Sequence, residues 1–90
     1  MSEPAVLDIT NEKGLHARAS AKFVETVEQF DAVATVSRDG MVVSGDSIMG
    51  LLMLGAAKGT QIEVATTGAQ AVELADAIAE LVNGKFGEAK

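Results

Sequence analysis

His16 is the only histidine in the chain, with Gly14 two residues before it and Arg18 two residues after. Directly behind comes a segment with helical apolar spacing. These residue types, in that order, suit the transient holding of a phosphoryl group on nitrogen. Imidazole is a nucleophile near neutral pH. The unpaired amides of a helix's first turn favour an anion. The Arg18 guanidinium offers forked donors to phosphate oxygens. In-line phosphoryl transfer needs little acid–base machinery, because positioning and charge stabilisation supply most of the catalysis. A short chain without a second catalytic-looking residue therefore suffices. Taken singly, a lone histidine is most often a cap, core or surface residue, and an arginine at a helix start is usually solvated. The pairing at the mouth of a helix is what points to phosphate.

The composition removes competing chemistries. There is no cysteine, which excludes disulfides and thiolate metal sites and fits a reducing interior. One histidine without cysteine leaves no structural zinc set, and neither metal nor cofactor is expected. The net charge is −6 and the seven basic residues are scattered, a poor basis for nucleic-acid binding. A protein partner with a basic or apolar docking face fits better. Met1-Ser2-Glu3-Pro4 lacks the basic region and apolar run of a signal peptide. The longest apolar stretch, Ile48 to Ala57, is too short to span a bilayer and is broken by Gly50 and Gly55. The expectation is a cytoplasmic monomer. Residues 1–90 make one domain, its core built from Val, Ile, Leu, Met and Ala, since only three residues are aromatic.

The elements that must position His16 are short. Ala5 to Thr10 reads as a first strand and Asn11-Glu12-Lys13-Gly14 as a turn. Ala19 to Phe30 carries Phe23, Val24, Val27 and Phe30 at helical spacing, with Glu25, Glu28 and Gln29 mostly opposite. Val33 to Ser37 alternates as a strand, Asp39-Gly40 is a hairpin signal, and Met41 to Val43 returns. Ser44-Gly45-Asp46-Ser47 offers capping side chains ahead of Ile48 to Leu54, a run too apolar on all sides for an ordinary surface helix. After the turn Lys58-Gly59-Thr60, Gln61 to Thr67 forms a strand that Gly68 ends. Ala71, Leu74, Ala75, Ile78, Leu81 and Val82 make the stripe of a final helix, with Asn83-Gly84 as its stop. Lys85 to Lys90 reads as a frayed tail. Gly14, Gly40, Gly59 and Gly68 read as turn glycines, not as a phosphate cradle. A small sheet with its helices on one face buries these stripes, which makes the chain α+β.

This order of elements, with Gly14-Leu15-His16-Ala17-Arg18 and Ser47-Ile48-Met49-Gly50, resembles the HPr family, the histidine-containing phosphocarriers of the bacterial phosphoenolpyruvate-dependent phosphotransferase system. The likeness covers nearly the whole chain. Leu51-Leu52-Met53-Leu54 and Ala57-Lys58-Gly59 continue it, and this later block looks most like the nitrogen-related NPr branch. The resemblance implies an open-faced β-sandwich, βαββαβα, with a four-stranded antiparallel sheet in the order 1-4-2-3 and three helices on one face. It also implies that His16 takes a phosphoryl group from phospho-enzyme I and passes it to a IIA-type protein, with Arg18 beside the phosphate. The chain would then be a transfer protein within a phosphotransferase system and not a free-standing enzyme. Ala19 stands where the family usually has proline, whose fixed φ suits a helix's first turn. Glu25 and Glu28 stand where sugar-system relatives commonly carry lysines, which implies a specialised enzyme I.

Ser47 has two readings, as the N-cap of the second helix and as the regulatory serine that some family members present to an HPr kinase/phosphorylase. Asp46 replaces the lysine often found before that serine. Ile48, Met49, Leu52 and Met53 read as a docking patch, because a short helix apolar on every side cannot bury all of its residues under a small sheet. Leu51 and Leu54 read as core. Two other functions compete with phosphoryl carriage. One is a regulatory adapter switched by phosphorylation at Ser47. The other is a ligand-binding α/β domain unrelated to phosphate, which accounts for the core but not for His16 and Arg18.

Overall fold

The structure, a computed structural model, describes residues 4–90. The reading of Met1-Ser2-Glu3 as no leader lies outside the described residues. The strands are β1 (Ala5–Asp8), β2 (Val33–Arg38), β3 (Met41–Ser44) and β4 (Gln61–Thr67). The helices are α1 (Ala17–Glu28), α2 (Ile48–Met53) and α3 (Ala71–Asn83), and a 3₁₀ turn follows at Lys85–Gly87. All strand pairings are antiparallel and the sheet order is β1-β4-β2-β3. Three helices over one face of this sheet make the expected open-faced sandwich.

Side chains alternate across a strand, so each strand contributes every second residue to the core. Ala34 and Val36 of β2 point inward, as do Ile62, Val64 and Thr66 of β4. Val36 lies opposite Val64, and Leu7 opposite Ile62, so the inward residues stack across the central strands. Above them lie Phe23 from α1, Leu51 from α2, and Leu74, Ile78 and Val82 from α3, all fully buried. Val6, Val33 and Val42 lie exposed on the sheet.

The termini of several elements differ from expectation for local reasons. α1 begins at Ala17, not Ala19, because the His16 carbonyl already accepts from the Ser20 N–H at 2.8 Å. Ala17 and Arg18 are exposed and so add nothing to the apolar pattern. α1 ends at Glu28, and the Gln29 and Phe30 amides donate to Thr26 and Val27 in a tighter last turn. β1 stops at Asp8, yet buried Ile9 still exchanges hydrogen bonds with Gly59 and Thr60 across the turn that starts β4. Asp39 and Gly40 both take positive φ, 51° and 84°, as a tight hairpin between β2 and β3 requires.

The tail is the main correction. Lys85 to Lys90 does not fray. After α3 the chain turns sharply, with Lys85 and Phe86 at φ 57° and 56°, and Phe86 is fully buried. Each non-glycine residue in this left-handed region costs about 1–2 kcal/mol, a cost that burial of the phenyl ring offsets. The Lys22 ammonium donates to the Phe86 carbonyl at 2.6 Å, and the Glu12 N–H donates to the Lys90 carbonyl at 3.0 Å. The tail thus runs back to the mouth of α1.

Candidate functional site

His16 is the N-cap residue of α1, with extended backbone (φ −79°, ψ −176°) and a side chain that makes no capping hydrogen bond. The ring is therefore free of the helix that it introduces. The amides of Ala17 and Arg18 fall in the first turn, where helical geometry supplies no acceptor. The loop before His16 is held on both sides. The Asn11 carbonyl accepts from the Gly14 N–H at 3.1 Å, and the Ala56 carbonyl accepts from the Leu15 N–H at 2.8 Å. Gly14 has φ +64°, and a Cβ there would come within 2.5 Å of the Ala56 carbonyl oxygen. Both the conformation and the approach demand glycine. Ala19 is buried in the first turn of α1.

His16 and Arg18 line one shallow pocket, together with Glu12, Lys13, Glu88, Ala89 and Lys90. The structure thus brings together His16, Arg18 and the first-turn amides. Arg18 is exposed and makes no ion pair among the described residues. Sequence reasoning missed the group nearest the ring. His16 Nε2 lies 2.5 Å from Glu88 Oε2, with the two side chains 27% and 16% exposed. The other carboxylate oxygen, Oε1, accepts from Asn11 Nδ2 at 3.1 Å, and the same amide group donates to the Gly14 carbonyl at 2.8 Å. The bond to His16 chiefly, then that to Asn11, holds the Glu88 carboxyl below its ordinary value of 4.5, and Lys13 adds a smaller attraction. A lowered carboxyl contributes stability in full above its ordinary value and loses it as the pH falls through the lowered one. The contact is therefore fully charged on the Glu88 side at neutral pH. The signal for Glu88 was Phe86, a lone aromatic past the helix stop.

A second surface adjoins the first. Gly55, Ala56 and Ala57, just after α2, line a groove with Lys13, Leu15 and His16. On α2 itself Met49 and Met53 are 69% and 66% exposed, Ile48 and Leu52 are also exposed, and Leu51 and Leu54 are buried. Ser47 is the N-cap of α2 and its Oγ accepts from the Gly50 N–H at 3.0 Å. Glu25 and Glu28 are exposed on α1. Among the described residues no group of three or more His, Cys, Asp or Glu side chains is placed to hold a metal ion, and no helix is long and apolar enough to cross a membrane.

Residues 5–84 match the PTS-HPr family, described as the PTS HPr component phosphorylation site. The chain belongs to the HPr family. A phosphocarrier protein HPr from Neisseria meningitidis is 51% identical over 82 residues, which cover 91% of this chain and 92% of that one. The phosphocarrier protein NPr of Escherichia coli is 40% identical over 89 residues, covering 98% and 99%. A crystal structure of HPr-C-His from Thermoanaerobacter tengcongensis superposes with a TM-score of 0.93 at 34% identity, covering 99% of this chain and 100% of that one. The chain is accordingly an HPr phosphocarrier of the phosphotransferase system. The HPr family match stops at residue 84, so Phe86 and Glu88 lie beyond it.

Proposed function

We propose that this single-domain chain relays a phosphoryl group from phospho-enzyme I, through a phosphohistidine at His16, to a IIA-type protein. The observation that carries this reading is the His16 ring at the N-cap of α1, unused for capping, beside Arg18 and two first-turn amides without helical acceptors. The amides and Arg18 would hold the phosphoryl oxygens while the ring nitrogen bears the phosphorus. Incubation with phosphoenolpyruvate and a cognate enzyme I should place a single acid-labile phosphate on the chain, located at His16 by fragment mass. An unmodified chain, or phosphate on another residue, would overturn the assignment. Identity is higher with the Neisseria HPr than with the Escherichia NPr, 51% against 40%, which favours the HPr side over the nitrogen branch that the later block resembles.

Docking falls to Ile48, Met49, Leu52 and Met53, whose exposed side chains lie on the helix that leads to the His16 groove. Large exposed apolar side chains grouped on one short helix are a surface suited to a protein partner. Exchanging Met49 or Met53 for glutamate should raise KM for the partner about tenfold and leave kcat within about twofold, since each buries apolar area worth about 1–3 kcal/mol in a complex. Steady-state transfer kinetics with enzyme I and with a IIA-type acceptor check this, and an unchanged KM with both removes α2 from the docking surface. Phosphorylation of Ser47 by an HPr kinase/phosphorylase would set about two negative charges beside that patch and weaken docking. That is the route by which carriage and a regulatory adapter role coexist in one chain.

A further inference from the structure

We propose that Met49 and Met53 form a reversible oxidation site, at which a hydroperoxide converts their thioethers to sulfoxides and so releases the chain from the protein partner that α2 docks. The proposal rests on the reading of α2 as the docking surface and adds a control to it.

The chemistry starts from composition. The chain has no cysteine, tryptophan or tyrosine. With no thiol to react first, the methionine sulfurs are the side chains most open to a two-electron oxidant. The described residues include three methionines, Met41 on β3 and Met49 and Met53 on α2. Met49 and Met53 are 69% and 66% exposed, against 42% for Met41. Access to solvent therefore favours the pair on α2.

The two sulfurs are carried outward by the way α2 is seated. At i, i+4 spacing they are neighbours on one side of the helix. The other side is closed. Leu51 is fully buried, and a Cβ on Gly50 would lie 3.0 Å from the Val43 side chain of β3. The start of the helix is held by the Ser47 Oγ, which accepts from the Gly50 N–H, and by the Ser47 carbonyl, which accepts from the Leu51 N–H at 3.0 Å. Neither bond uses a methionine side chain. Oxidation thus alters the surface without touching the core or the cap.

In the step itself, the sulfur lone pair attacks the terminal oxygen of the hydroperoxide. The S–O bond forms as the O–O bond breaks, and the proton of the attacked oxygen passes to the departing one. Sulfur gives up two electrons and the peroxide is reduced to water or an alcohol. A thioether is a weak acceptor on a flexible apolar chain. The sulfoxide that replaces it is polar and disrupts methionine-rich interfaces. An apolar partner face offers its oxygen no donor, so docking would bury an unpaired polar group. Methionine sulfoxide reductases, one for each sulfoxide epimer, reverse the change. Thiols supply the two electrons and the oxygen leaves as water.

The test treats the full chain with hydrogen peroxide, places each added oxygen by peptide mass, and measures transfer kinetics with phospho-enzyme I. Met49 and Met53 should be oxidised before Met41. KM for the partner should rise about tenfold, in the lower part of what burial of one unpaired polar group costs, with kcat within about twofold and far-ultraviolet dichroism unchanged. The two reductases together should bring KM back. Met41→Leu should keep the whole response. The double variant Met49→Leu, Met53→Leu should lose it, judged against its own untreated form. An unmoved KM once both α2 sulfurs are oxidised, a loss confined to kcat, oxidation of Met41 ahead of both, or a response that persists in the double variant would each overturn the proposal. Untreated Met49→Glu tells the two readings apart. A raised KM there, with KM unmoved by oxidation, overturns the oxidation site alone, whereas an unmoved KM in both removes the docking surface and the control with it.

Discussion

Replacing His16 with alanine should leave a folded protein that accepts no phosphoryl group. The fold is expected to survive because the ring contributes to neither the core nor the cap. It makes no capping hydrogen bond, and the helix is started by the His16 carbonyl, which alanine retains. The Glu88 contact goes, but the tail keeps its Phe86 anchor and the Lys22 bond. Phosphoryl acceptance has no such redundancy. Among the described residues no second imidazole or thiol stands nearby, and the remaining groups of the pocket are carboxylates, cations and backbone. Incorporation from phosphoenolpyruvate through enzyme I should fall to background while far-ultraviolet dichroism is unchanged. Acid treatment separates the alternatives, since a P–N bond is cleaved and a phosphate ester at Ser47 persists. Acid-labile label that survives in His16→Ala would put the acceptor elsewhere.

The His16 cluster was legible in the sequence because its parts are adjacent. Five consecutive residues, Gly14 to Arg18, specify a turn, a ring, a helix start and a guanidinium, and local geometry alone brings them together. The order of elements was legible for a related reason. Alternation in Gln61 to Thr67 and the helical stripe from Ala71 to Val82 follow from burying one face of each element. What escaped was long-range. Asn11 looks like any turn asparagine, and its role appears only when the chain 77 residues later supplies Glu88. The tail escaped because periodicity ends at Asn83-Gly84. Phe86, a single aromatic past that stop, is a signal without a period. The start of α1 was placed two residues late for the same reason in reverse: Ala17 and Arg18 face solvent and leave no apolar mark.

That weakness in the pattern makes Phe86 the sharpest probe of the tail. Phe86→Ala should destabilise the protein by about 3–5 kcal/mol, the range for truncating a fully buried phenyl ring. For a domain of this size, whose total stability is of order 5–15 kcal/mol, the midpoint of thermal unfolding should drop by on the order of 15 °C. The loss goes beyond a cavity. Lys85 and Phe86 hold left-handed conformations that burial of the ring helps to sustain, so its removal loosens the turn. The Lys22 hydrogen bond to the Phe86 carbonyl goes with it, and Glu88 is freed from His16. Urea unfolding and imidazole 15N shifts of Phe86→Ala and Glu88→Ala separate docking of the tail from the contact itself. Phe86→Ala should lose both stability and the 15N signature of the His16–Glu88 contact, whereas Glu88→Ala should lose the signature at nearly full stability. Should Phe86→Ala unfold within about 0.5 kcal/mol of the native chain, a range typical of surface substitutions, the tail would not be docked in solution and the Glu88 contact could not form. A loss of several kilocalories instead shows the last residues of the chain docked beside the His16 ring, the proposed phosphoryl acceptor. An aromatic anchor in the core would then hold a carboxylate in place at the surface.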